Sequence, residues 1–316
     1  MPSTGASEQT WTTRKLLAWM SDAFTKKGLD SPRLLAEMLM AHVVGCDRLK
    51  LYTDPDRPAS PLERDRLRDL VQRAMKHEPV QYLVGHAWFF GLRIRVDRRA
   101  LIPRPATETI VEHVLQHARA SAGRSTRGEG MLVADICAGS GCIAVALLKH
   151  LAGARAVATE ISPDAAELAS ENAVEHGVSD RLDLLVGDLL APLRSHPLTR
   201  GVASLDYLVS NPPYIPDDEW NAVEPNVKDH EPHLALRGGV DGLDLVRRLL
   251  GDPASGGHDA VALLKPGGLL LIEVADSRAP SALQLVSRRD ELEGVQILKD
   301  FEGLPRVIVA RKRSES

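Results

Sequence analysis

Leu205-Asp206-Tyr207-Leu208-Val209-Ser210 is a short, mostly apolar run, and Asn211-Pro212-Pro213-Tyr214 follows it directly. Such a run between turn residues reads as a buried strand. Proline has no N–H to give to a ladder, so two in succession end the strand at Asn211. The asparagine is left at a strand's carboxyl end with its side-chain amide free. In an open α/β sheet that edge is where ligands bind. Alone, the four residues suit a proline-rich turn capped by asparagine equally well. Tyr214 and a glycine-rich segment upstream favour the binding edge.

That upstream segment belongs to a repeating pattern of strand, turn and helix. Met131 to Ile136 is an apolar run, Cys137-Ala138-Gly139-Ser140-Gly141 a glycine-rich turn, and Cys142 to Leu151 a helix. Ala154 to Thr159 is the next strand, ending at Glu160, with a helix from Ser162 to Gly177. Leu182 to Val186 is the third strand, ending at Gly187-Asp188, and the fourth delivers Asn211. Leu264-Lys265-Pro266-Gly267-Gly268 reads as a turn into a strand from Leu269 to Val274. Val295 to Leu298 and Val307 to Ala310 read as a closing hairpin. The alternation implies an α/β fold with a doubly wound parallel sheet and an antiparallel edge.

The first third of the chain differs. Thr12 or Thr13 caps a helix carrying Leu16, Leu17, Met20 and Phe24 on one face, closed by Gly28. Ser31-Pro32 opens a second helix that Gly45 ends, and Ser60-Pro61-Leu62-Glu63 is a capping box opening a third towards His77. Residues 1–11 read as a frayed tail. Short amphipathic helices cannot bury their stripes alone, so residues 1–80 are expected to form a small helical bundle. Residues 81–101, with alternation around Trp88 to Val96, are expected to be a linking β-hairpin. Residues 102–316 then form the α/β domain, extended at Ile102-Pro103-Arg104-Pro105, helical from Thr107-Glu108, and with a flexible surface loop over residues 120–130.

Composition narrows the partners. The net charge is −4 and the pI about 6.3, so no basic field points to nucleic acid. Cys46, Cys137 and Cys142 have no metal-ligand spacing and suit a reducing compartment. No metal is expected. The longest apolar run is too short to span a bilayer, and Met1 to Gln9 has no apolar core, so the expected location is cytoplasmic, with no membrane partner.

The Ala138-Gly139-Ser140-Gly141 turn lacks the third glycine of a dinucleotide fingerprint and the lysine of a phosphate-binding loop. It still allows close approach of backbone to a ligand. Glu160, about twenty residues on, stands where a carboxylate can accept from a ribose diol, or is simply a solvated strand end. Asp188 can meet an adenine amino group, or cap the helix from Leu189. A nucleoside site without a phosphate site suggests S-adenosylmethionine. Asn211 offers its side-chain oxygen and Pro212 its carbonyl, a pair that can hold both hydrogens of an NH₂ group. Tyr214 offers a flat wall for a planar amide or base. Methyl transfer depends chiefly on orientation, which can supply on the order of 7–11 kcal/mol.

Over about Thr13 to Arg311 the chain resembles the HemK/PrmC family of protein-(glutamine-N5) methyltransferases. The matching pieces are Pro79-Val80-Gln81-Tyr82-Leu83 with Gly85, Ile102-Pro103-Arg104-Pro105 with Thr107-Glu108, Asp135 with Gly139-Ser140-Gly141, and Asn211-Pro212-Pro213-Tyr214. Glu231-Pro232 with Ala235-Leu236, Gly238-Gly239, Asp241-Gly242-Leu243, and Asp300 with Gly303 and Arg306 extend the match. The resemblance implies a Rossmann-like class I methyltransferase domain behind a helical domain that helps dock a peptide-chain release factor, whose Gly-Gly-Gln glutamine is methylated. It implies S-adenosylmethionine held by Cys137, Ala138, Gly139, Ser140, Gly141, Glu160, Asp188, Leu189 and Asn211. The glutamine amide falls to Asn211, Pro212, Pro213 and Tyr214, with Arg104 and Thr107 beside it. Departures stand at Ala106, where the family usually has an acid, at Cys137 and Ala138, at Glu160 in place of aspartate, and at Ala275 to Arg278. They bear on the substrate more than on the reaction. Competing readings are methylation of a ribosomal-protein glutamine or a small amide or amine, a nucleic-acid amino-methyltransferase, and a non-catalytic scaffold.

Overall fold

Runs that are apolar on both faces must be covered on both faces, and that requirement organises most of this chain. The computed structural model describes residues 10–120, 127–200, 203–251 and 259–314. The chain divides into two compact units, one taking in the chain through Gly85 together with Pro225–His230, the other His86–Glu224 and Glu231–Ser316.

The first unit holds α1 (Thr13–Lys27), α2 (Pro32–Val44), α3 (Pro61–Ala74) and α4 (Val80–Val84). Its core is Met20, Phe24, Leu39, Met40 and Leu67, all essentially inaccessible. Thr12 caps α1 by accepting from the Lys15 N–H, and Gly28 closes it in a left-handed conformation. The Ser60–Glu63 capping box forms in both directions, at 2.8 and 3.2 Å, worth about 1 kcal/mol. Ser31 departs from expectation: it sits at φ 50 and makes no side-chain cap, leaving Pro32 to start α2. Helix α3 stops at Ala74, short of His77. The tail over residues 1–9 lies outside the described residues, as does the stretch 121–126 of the expected loop.

The hairpin expected over residues 81–101 is shorter. Val80, Leu83 and Val84 are buried at helical spacing, and the left-handed Gly85 ends α4. Period 3.6 outcompetes period two in that stretch. In the second unit, β1 (His86–Phe89) and β2 (Leu92–Arg95) then pair antiparallel through Phe90-Gly91. Both turn residues have positive φ, 48 and 75, as a type I′ turn requires.

After the hairpin come α5 (Glu108–Ala120), β3 (Leu132–Ile136), α6 (Cys142–His150), β4 (Arg155–Glu160), α7 (Pro163–Glu175), β5 (Leu182–Val186), β6 (Leu205–Ser210), β7 (Leu264–Glu273), β8 (Leu292–Lys299) and β9 (Pro305–Lys312). They build a seven-stranded sheet in the order β5-β4-β3-β6-β7-β9-β8. Strands β5 to β7 run parallel, while β9 is antiparallel to both its neighbours. The expected parallel sheet with an antiparallel edge is therefore what forms. Strands β3 and β6 are buried at every position. Because the chain leaves β3 in one direction and returns beside it as β6, a crevice opens at their carboxyl ends.

One expected turn became a bulge. Leu264 pairs with Leu205 and Leu269 with Tyr207, so Lys265 to Gly268 is looped out within β7. A Cβ on Gly268 would lie 2.9 Å from the Leu205 carbonyl oxygen, so only glycine fits. Helices at Asp244–Leu249, Ala260–Leu263 and Ala279–Ser287 were not among the sequence expectations; each is short. Among the described residues no helix is long and apolar enough to cross a membrane.

Candidate active site

The glycine-rich turn after β3 forms one wall of a cleft at the carboxyl ends of the parallel strands. Cys137, Gly139 and Gly141 all take positive φ, of 62, 55 and 75. The turn is tied down from three sides. The Ala138 N–H donates to the Thr159 carbonyl at 3.0 Å, the Gly139 N–H to Glu160 Oε2 at 2.8 Å, and Asn172 Nδ2 to the Ser140 carbonyl at 2.9 Å. A Cβ on Gly141 would sit 3.0 Å from Ala169 Cβ, so this glycine also lets α7 approach closely. A wired turn with its backbone exposed to a cleft is ready to meet a ligand without reorganising.

Glu160 ends β4 almost buried, at 8% exposure. Its carboxylate accepts from Gly139 and, at 3.0 Å, from the Ser162 N–H. A carboxylate has about four acceptor positions, so hydroxyl donors from the cleft can still be received. It is no solvated strand end. Asp188 lines the cleft too, but Arg248 is ion-paired to it. That arginine was not among the expected site residues; it comes from the short helix at Asp244–Leu249. Leu189 follows at φ 45, buried against the sheet.

At the opposite wall, Asn211 Nδ2 donates to Thr107 Oγ1 at 3.1 Å. Asn211 Oδ1 is buried and has no hydrogen-bond partner among the described residues; Thr159 Oγ1, also on the cleft, shares that condition. Unpartnered buried polar atoms cost roughly 1–3 kcal/mol each, and both of these belong to residues that line the cleft. Glu273, at the end of β7, is 1% exposed. Burial pushes the Glu273 carboxyl up to about 7, against the lowering effect of Thr107, Arg306 and Arg104.

The expected site residues divide. Cys137, Ala138, Gly139, Ser140, Glu160, Asp188, Leu189, Asn211, Pro213 and Thr107 line the cleft; Gly141, Pro212, Tyr214 and Arg104 do not. Loss of solvent pushes the Tyr214 phenol up to about 12. Arg104 is held at 2.5 Å by Glu231, which also accepts from the Ile102 N–H at 3.0 Å. Sequence reasoning passed over Arg99, Leu101, Ile161, Leu234 and Arg237, which also line the cleft. The signal available for Ile161 was an apolar residue directly after a strand-end acid; it remains 48% exposed.

Gly238 and Gly242 explain how the Asn211–Tyr214 corner is held. A Cβ on Gly238 would lie 2.7 Å from Tyr214 Cα, and one on Gly242 2.4 Å from the Tyr214 carbonyl oxygen. Without side chains there, the 236–242 segment lies directly on the corner. The Ile215 N–H donates to Leu236 and the Gly238 N–H to Ile215, at 2.9 and 2.8 Å. Among the described residues no cluster of His, Cys, Asp and Glu could hold a metal ion.

The family described as PrmC N-terminal domain matches residues 15–85, and the family described as precorrin methyltransferase domain matches residues 115–200. Two curated relatives are named release factor glutamine methyltransferase. The one from Geobacter sulfurreducens is 40% identical over 95% of this chain and 97% of its own length. The one from Rhodopirellula baltica is 36% identical over 97% of this chain and 98% of its own. A solved structure of the hMettl16 catalytic domain in complex with MAT2A 3′UTR hairpin 6 is 17% identical, covers 72% of this chain and 77% of that one, and has a TM-score of 0.51. At that identity the likeness speaks for the fold alone.

Proposed function

From the premise that this chain belongs to the release factor glutamine methyltransferase family, we propose how its second unit carries the reaction. The activity is methyl transfer from S-adenosylmethionine to the side-chain amide nitrogen of a protein glutamine. The acceptor in our reading is the glutamine of a Gly-Gly-Gln loop in a peptide-chain release factor.

The residues of the cleft fit S-adenosylmethionine. Backbone of the Cys137–Gly141 turn, the spare acceptor positions of Glu160, the Asp188-Leu189 turn and the apolar Ile161 suit a nucleoside with no phosphate to neutralise. When bound, it supplies an electrophilic methyl on sulfur. The chain's task is then to aim a poor nucleophile. Asn211 Oδ1 accepts one hydrogen of the glutamine NH₂, and the Pro212 carbonyl accepts the other. With both hydrogens held, the nitrogen faces the methyl. The nitrogen–carbon bond forms as the sulfur–carbon bond breaks, and the proton shed by the alkylated amide passes to solvent. No strong base is required, so orientation carries the rate.

The buried, unpartnered Oδ1 of Asn211 is the observation that carries this reading. Selection of a folded partner falls to the helical first unit, because one glutamine side chain offers little surface for discrimination. In this reading the enzyme works beside the translation machinery, in the cytoplasm. The test is labelled S-adenosylmethionine offered with release factor, ribosomal protein and RNA side by side, with the methyl located by mass spectrometry. Label on release factor glutamine is expected. Label confined to another acceptor overturns the substrate, and equal KM values for intact factor and a Gly-Gly-Gln peptide overturn the docking role.

A further inference from the structure

A Gly-Gly-Gln acceptor carries no side chain on the two residues before its glutamine. Close recognition beside the reacting amide therefore falls on main-chain carbonyls and N–H groups. Arg237 lines the cleft on the side where such a main chain would lie against the Asn211–Tyr214 corner. Its backbone bridges Ile215, the residue directly after that corner. Its side chain is 49% exposed yet fixed from two sides. Arg237 Nη2 donates to Asp217 Oδ1 at 2.6 Å, and the guanidinium carbon stands 5.4 Å from the centre of the Trp220 ring. Both supports are themselves held. The Asp217 N–H donates to the Gly239 carbonyl at 2.9 Å, and Trp220 meets His233 edge-on with ring centres 4.8 Å apart. Asp217 is the guanidinium's one hydrogen-bond partner among the described residues. The other N–H donors of its planar fork are left to give.

We infer that Arg237 is an acceptor-binding residue, whose remaining N–H donors hold main-chain carbonyls of the acceptor segment next to the glutamine. The inference rests on the glutamine-methylation reading and deepens it. Charge selects a carbonyl as the ligand. Asp217 already balances the guanidinium, so a phosphate or carboxylate gains little net attraction there, whereas a neutral carbonyl needs only a donor. Shape agrees, because glycine lets a backbone approach a planar group more closely than any other residue does. A side chain held by Asp217 and Trp220 also loses little rotamer freedom when the acceptor arrives. Asn211 then holds the amide end of the glutamine and Arg237 the main-chain end. A glutamine held at one end swings on its own side chain; held at both, it presents its nitrogen in one pose.

The test uses the full chain with labelled S-adenosylmethionine, an intact release factor and a Gly-Gly-Gln peptide. Arg237→Ala is expected to raise KM for both acceptors about tenfold or more, the scale of hydrogen bonds to a charged group. Its Kd for S-adenosylmethionine by calorimetry stays within about twofold, which separates acceptor from cofactor. Arg237→Lys keeps a point donor without the fork, and its KM falls between wild type and Arg237→Ala. Asp217→Ala loosens the guanidinium without removing it, so it raises KM less than Arg237→Ala does. Wild-type KM in Arg237→Ala overturns the inference, and so does a cofactor Kd that weakens as much as KM rises. A rise confined to the intact factor overturns it too, since the contact would then lie away from the glutamine. Asp217→Ala as damaging as Arg237→Ala reduces Arg237 to a brace for its neighbours and also overturns it. If Arg237→Ala does not fold, Arg237→Gln decides on the same readouts. A wild-type protein that labels neither acceptor sinks the parent reading and this inference with it, so the two failures are distinguishable.

Discussion

At Asn211 one amide meets two opposite hydrogen-bonding demands: its nitrogen is held by Thr107, while its oxygen is buried and unpartnered. The oxygen gains a partner only when a donor enters the cleft, so its loss falls on turnover. Asn211→Ala is expected to lower kcat by roughly 10²–10³-fold, the range for one preorganised polar contact at a reacting centre. Affinity for S-adenosylmethionine, measured by calorimetry, changes far less, and near-normal turnover would refute the role. Glu160 has two duties, since it holds the Gly139 and Ser162 amides as well as facing the cleft. Glu160→Ala is expected to weaken S-adenosylmethionine binding by about 1.5–3 kcal/mol, the scale of hydrogen bonds to a charged group. Glu160→Gln, which keeps an acceptor for Gly139, should lose less; equal losses would mean that only the loop tether matters.

The elements around the cleft are close together because glycines allow it. Gly141 carries two constraints, a left-handed φ of 75 and a 3.0 Å approach to Ala169 on α7. Gly141→Ala therefore costs about 1–2 kcal/mol for the backbone, and crowding adds about 1–3 kcal/mol. Thermal unfolding should show the loss, and Ala169→Gly in the same chain should recover only the crowding part. Full recovery would mean that the left-handed conformation carries no strain. The same logic explains Gly238 and Gly242, where Tyr214 backbone occupies the space a side chain would need. In sequence those glycines lie well beyond the corner they serve, and nothing in local periodicity connects them to it.

Across the whole molecule, each unit buries its own apolar core, and the second also buries ionisable groups. Burial pushes both Asp135 and Glu273 up to about 7, against roughly 4 in an unfolded chain. Native protein then holds more protons than unfolded protein between those values, so stability falls as pH rises through that window. The contribution is fully present below about 4 and gone above about 7. Asp135→Asn is expected to flatten the decline in denaturant midpoints between pH 5 and 7. An unchanged slope would mean that Asp135 ionises normally in the fold.

Much of this was legible along the chain. Apolar runs ended by glycine, proline or an acid located β3 to β6, and β3 and β6, buried at every position, have no other composition open to them. The Asn211–Tyr214 corner and the Cys137–Gly141 turn were visible for the same local reason. Residues 80–84 misled because four or five residues cannot separate helix from strand; only the shared burial of Val80, Leu83 and Val84 decides it. The partners of the site residues were out of reach. Arg248 on Asp188, Glu231 on Arg104, and Thr107 on Asn211 join positions 60, 127 and 104 residues apart. Such pairings follow from strand order and helix packing, and no local pattern records which distant donor meets which acceptor. The chain's own sequence determined the sheet, the glycine turn and the reacting asparagine; the tertiary structure alone decided which way that asparagine's amide faces.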